Sequence, residues 1–155
     1  MNLWDAKALA ESLMREHELS STWTFGFNHR KRALGLCNYS AKRIELSVHL
    51  INHNDEDAVR DTLLHEIAHA LAGANAGHGP IWKQKCIEIG ARPERCDSAA
   101  TMPKGKWKAV CGSCEKAHTR HRRPLKGRTY YCRQCGPDVG ELVFKKNTAA
   151  VGKLV

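Results

Sequence analysis

Two histidines and a glutamate share one short stretch, His65-Glu66-Ile67-Ala68-His69. On an α-helix, positions four apart lie about 6 Å apart along the axis and about 40° apart around it, so both imidazoles can reach one ion. Zinc takes neutral imidazole nitrogen at about 2.0–2.1 Å, and its catalytic sites combine three protein ligands with one open position. A third ligand is therefore required. His78 is the candidate, because Gly73 and Gly77 let the chain reverse beyond the helix and Gly79-Pro80 reinforces the turn. Glu66 projects about 100° from His65 and need not ligate; it is placed to act as general base toward an activated water. The chemistry implied is metal-assisted hydrolysis of a peptide bond.

The competing reading is a chance match on a helix whose histidines are ordinary surface or core residues. The neighbours argue against it. From Leu63 to Gly73 the only ionisable residues are His65, Glu66 and His69, and on a helical wheel the histidines border a wide apolar arc. Burying two imidazoles and a carboxylate without partners is costly, so a metal is the simpler account.

A second group of ligand type follows. Cys111-Gly-Ser-Cys114 and Cys132-Arg-Gln-Cys135 are separated by 17 residues, the spacing of a four-cysteine zinc ribbon. Four thiolates close the coordination shell, so this second zinc is structural where the first is catalytic. A redox pair of dithiols is the alternative. Cys37, Cys86 and Cys96 have no metal-spaced partner and read as core or linker residues, Trp82 as a core anchor, and His17, His29, His49 and His53 as ordinary polar positions.

Charge separates the two groups. Residues 1–100 carry 12 Lys and Arg against 13 Asp and Glu, whereas residues 101–155 carry 13 against 3. Such a basic segment favours a polyanion. Between the cysteine pairs, Lys116, Arg120, Arg122, Arg123, Lys126 and Arg128 offer phosphate contacts, and Tyr130 and Tyr131 offer rings on which bases stack. DNA, including single-stranded DNA, is the expected partner; a solvated basic face with core tyrosines, or an acidic protein partner, are the alternatives.

The elements that must hold these residues are legible as patterns. Leu3 to His17 has apolar residues at helical spacing. Trp23 to Phe27 and Leu34 to Cys37 read as a hairpin with a basic tip, and Arg43 to Ile51 alternates as a strand. Asn54 with three following acids caps a helix running to about Gly73, and Pro80 opens another reaching Gly90. Ala91 to Trp107 is aperiodic and reads as a linker. No stretch approaches a membrane span, the N-terminus lacks a signal-peptide core, and the paired cysteines suit a reducing compartment, so a cytoplasmic protein is expected.

Thr62-Leu-Leu-His-Glu-Ile-Ala-His-Ala-Leu71, then Gly77-His-Gly-Pro-Ile-Trp82, then four paired cysteines, together resemble the SprT-like metalloprotease family, which includes bacterial SprT proteins and the eukaryotic Spartan proteases. The preceding Phe27-Asn28 and Gly35-Leu-Cys37 segments and the strand at Ile44 to Leu50 extend the likeness over nearly the whole chain. The resemblance implies an α+β fold with a zincin-like metalloprotease core of helices packed on a small, mainly antiparallel sheet; with the boundary read at the linker, that core covers residues 1–100, a basic zinc ribbon 101–147 and a loose tail 148–155. It also implies His65, His69 and His78 as ligands, Glu66 as the catalytic acid, and protein substrates of the DNA-crosslinked kind that Spartan-type members degrade. Nucleoid association in a bacterium or phage, or a nuclear location in a eukaryote, goes with that substrate. Related zincins align substrate as an added strand, a role the Arg43 to Ile51 strand is expected to play. A noncatalytic, zinc-stabilised nucleic-acid-binding protein is the rival reading.

Overall fold

The computed structural model describes residues 1–94 and 100–148. The chain forms two compact units, Met1–Met102 and the segment from Pro103 onward. Both helices and strands are present, which makes the class α+β.

The first unit begins with α1 (Leu3–Glu16), whose N-terminus is closed by the Asn2 side chain accepting from the Asp5 N–H at 2.9 Å. It buries Ala6, Ala10, Leu13 and Met14, a stripe with helical period. Three strands follow: β1 (Thr24–Asn28), β2 (Gly35–Asn38) and β3 (Arg43–Ser47). The expected hairpin does not form. β1 and β2 flank β3 in the order β1-β3-β2, β1 parallel and β2 antiparallel to it, so this sheet is mixed. The physical reason lies in β3, whose Ile44 and Leu46 are fully buried and gain neighbours on both sides. The 28–34 connection is tied over the end of β3 by the Ser47 N–H donating to the Leu34 carbonyl at 2.8 Å.

The strand expected to reach Ile51 stops at Ser47. There the serine Oγ accepts from the His49 N–H and caps a short helix, α2 (Val48–His53). Leu50 and Ile51 are both fully buried, which adjacent residues in a half-covered strand do not achieve. Being central, β3 has both edges paired and cannot accept an added strand; β2 is an edge strand instead.

Next comes α3 (Glu56–Ala72), packed against α1, β2, β3 and the following helix. Its N-cap is Asp55, one residue beyond the expected Asn54, which instead donates to the Leu50 carbonyl and exchanges two hydrogen bonds with the Thr101 backbone. Gly73 ends α3 with φ +88° and Gly77 turns at φ +51°, so the reversal uses the left-handed region open to glycine. α4 (Pro80–Glu88) follows, with Pro80 in its first turn and Trp82 and Cys86 buried. Part of the expected linker belongs to this unit, since Ala91 is buried and Ala100 and Met102 pack on its core.

The second unit holds β4 (Trp107–Val110), β5 (Ala117–Arg120), the single turn α5 (Gly136–Val139) and β6 (Lys145–Lys146), with sheet order β5-β4-β6, all antiparallel. Its buried cluster is small: Ala109, Cys111, Cys132 and Leu142. Lys108 stands directly opposite Lys145. Cys96 and the expected tail beyond Thr148 lie outside the described residues. Among the described residues no helix is long and apolar enough to cross a membrane.

Candidate metal centres

His65 and His69 sit one turn apart on α3, and the turn through Gly73 and Gly77 returns His78 to them. The His78 Nε2 lies 3.1 Å from the His69 Nε2 and 3.2 Å from the His65 Nε2. Tetrahedral ligands at zinc bond lengths stand about 3.3–3.4 Å apart, so the triangle fits one ion. A neutral imidazole nitrogen carries either one hydrogen or one in-plane lone pair. The His78 Nε2 therefore cannot complete ordinary hydrogen bonds to both neighbours, whereas three lone pairs directed at one cation are mutually compatible. Burial first, then neighbouring imidazoles, hold His65 and His69 down to about 4, leaving both neutral and ligand-ready at pH 7.

One residue the sequence left in the core proves central to this cluster. Trp82, fully buried on α4, touches all three rings, with centroids 4.8 Å from His65, 4.6 Å from His78 and a stacked 5.2 Å from His69. Pro80 in the first turn of α4 places it two residues later, beneath the imidazoles. Tyr39, just beyond β2, donates from its hydroxyl to the His69 carbonyl at 3.1 Å and fixes the last turn of α3. Nothing in the sequence signals either contact.

Glu66 is only 7% exposed. Burial pushes its carboxyl up to about 7, opposed by the Cys37 backbone N–H, which donates to the carboxylate and favours the ionised form. Burial also pushes the Cys37 thiol up to about 12, with the Glu66 charge adding to the effect.

In the second unit the four sulfurs of Cys111, Cys114, Cys132 and Cys135 lie within 4.8 Å of one another. The Cys114 and Cys132 sulfurs are 3.7 Å apart, against about 3.8 Å expected across a tetrahedral zinc thiolate site. Both Cys-x-x-Cys turns aim backbone N–H groups at sulfur. Those of Cys114 and Ser113 pull the Cys111 thiol down to about 7, and those of Cys135 and Gln134 lower Cys132. The donor sets therefore suit one metal ion at each centre.

The basic residues divide. Lys116, Arg122, Arg123, Lys126, Arg128 and Tyr131 are exposed. Arg120 and Tyr130 are engaged within the unit: the Arg120 guanidinium lies 4.2 Å over the Tyr130 ring, and the Tyr130 hydroxyl accepts from the Leu125 N–H.

Comparison with known proteins agrees with this picture. Residues 6–102 match the SprT-like family model, a span that contains most of α1, all of β1 through α4 and all three histidines. Protein SprT of Pseudomonas paraeruginosa is 28% identical over 125 residues, covering 72% of this chain and 76% of that protein. Protein SprT of Shewanella oneidensis is 27% identical, covering 72% and 78%. Germ cell nuclear acidic protein of Drosophila melanogaster is 29% identical over 153 residues, 89% of this chain but 14% of that much longer protein. With its histidine cluster inside the matched region, this chain belongs to the SprT-like family.

Proposed function

We propose that the protein is a zinc-dependent metallopeptidase with a zincin-like core, acting on DNA-associated or DNA-crosslinked proteins. The observation that carries the reading is the convergence of three imidazoles beside a buried carboxylate that meets no cation among the described residues. A histidine site serving structure alone has no use for such a carboxylate, whose burial is costly.

When bound, zinc supplies Lewis-acid activation of water and of the scissile carbonyl. His65, His69 and His78 would hold it. Glu66 would take the proton of the attacking water and pass it to the departing amine. The substrate backbone lies along β2, the edge strand next to Glu66, in place of the central β3, and pairs with outward groups other than the Cys37 N–H, which the Glu66 carboxylate holds. The exposed cations of the second unit bring the enzyme to phosphate backbones.

The test is cleavage of a DNA-bound protein by wild type and Glu66→Gln, with and without single-stranded DNA and a chelator. Cleavage lost on chelation and in Glu66→Gln, with zinc retained by the variant, is expected. Full activity of a zinc-loaded Glu66→Gln protein removes Glu66 as base, and equal cleavage without DNA removes the coupling to DNA.

A further inference from the structure

A strand exposes alternate backbone groups to each side, and β2 uses this directly. The Leu34 carbonyl accepts from Ser47 N–H of β3, so residues 34, 36 and 38 bond toward β3 while Gly35 and Cys37 turn their N–H and C=O groups off the sheet edge. Gly35 and Cys37 stand opposite Leu46 and Ile44, whose side chains enter the core, so their own side-chain positions face α3. Glu66 descends from α3 onto this spot. A Cβ built on Gly35 would stand 2.7 Å from the Glu66 Oε1, 2.8 Å from its Cγ and 3.0 Å from its Cδ. No side chain could occupy that position while the carboxylate keeps its path to the Cys37 N–H.

We infer that Gly35 is a positioning residue for Glu66: the missing Cβ opens the channel through which the carboxylate crosses β2 to the outward N–H of Cys37. Gly35 has no positive φ, so an alanine there is unstrained in the backbone and acts through the side-chain clash alone. The catalytic half of this inference rests on the proteolytic reading above; the contact itself does not.

The experiment is a pair of double-mutant cycles. In metal-free protein, thermal unfolding is measured for wild type, Gly35→Ala, Glu66→Ala and the double variant. Gly35→Ala should lower Tm by several degrees in the Glu66 background and by none in the Glu66→Ala background, where the clash is gone. If Gly35→Ala fails to fold, the double variant should fold; equal losses in both backgrounds, or two unfolded proteins, overturn the inference. In zinc-loaded protein, Gly35→Ala should retain one zinc at the histidine site, keep KM within a factor of about two, and lose kcat on the order of 100-fold, the effect of a displaced catalytic group. It should add nothing to Glu66→Gln. Lost zinc, or an effect that multiplies that of Glu66→Gln, overturns the positioning role. A wild type that cleaves no protein defeats the proteolytic reading, while the unfolding cycle still decides the contact.

Discussion

Withdrawing metal should unfold the second unit and spare the first. Among the described residues the first unit buries seventeen apolar residues in one cluster, from Ala6 on α1 to Ala91. The second buries four, and two of those are the cysteines Cys111 and Cys132 themselves. Leu142 contributes about 1.5–3 kcal/mol by burial and Ala109 less. Structural zinc contributes about 10–16 kcal/mol in comparable small modules, as large as the whole net stability of a typical domain at about 5–15 kcal/mol. That binding energy corresponds to dissociation constants from roughly 0.1 μM to picomolar. The metal therefore decides whether this unit folds. The assay is the amide proton–nitrogen correlation spectrum before and after a strong chelator. Resonances of residues 103–148 should collapse to unfolded dispersion, those of Leu46, Ile67 and Leu63 should persist, and zinc should restore the spectrum. Dispersed resonances for Ala109 and Leu142 in metal-free protein would refute the reasoning, as would simultaneous collapse of both units.

Three further outcomes are expected. Trp82→Ala should cost about 3–5 kcal/mol by large-to-small truncation and weaken zinc at the histidine site, read by calorimetry and chelator competition; unchanged zinc affinity would limit Trp82 to packing. Cys37, with its thiol near 12, should carry roughly 500-fold less thiolate at pH 9 than in the denatured chain, so alkylation measured by peptide mass should be correspondingly slow and should accelerate on denaturation. If Lys116, Arg122, Arg123, Lys126 and Arg128 each meet a phosphate of single-stranded DNA, affinity should fall roughly a hundredfold between 50 and 200 mM salt, and a flat titration would discount those five contacts.

The parts legible in the sequence are those whose signal is local. The four-residue spacing of His65 and His69, the glycines before His78 and the two Cys-x-x-Cys turns each encode geometry within a few residues, and the structure brings both sets of donor atoms together. The long-range parts were not legible. Alternation at Arg43 to Ile51 reports two faces but not where a strand yields to a capped helix at Ser47, and apolar patterning in β1 and β2 does not say that β3 inserts between them. Trp82 looks like any buried aromatic until the fold sets it under three imidazoles. Arg120 and Tyr130 look like a binding pair in sequence, yet they stack on one another.

The Lys108–Lys145 pairing has one more consequence. Like charges opposite one another across a sheet repel. Residues 103–148 hold twelve Lys and Arg against three Asp and Glu, and no ion pair joins any of them among the described residues. Added salt screens that repulsion. The same salt displaces the unit from a polyanion. Its folding and its binding to any polyanion should thus answer ionic strength with opposite signs, and a bound polyanion would serve the second unit as a counterion that the described residues do not supply.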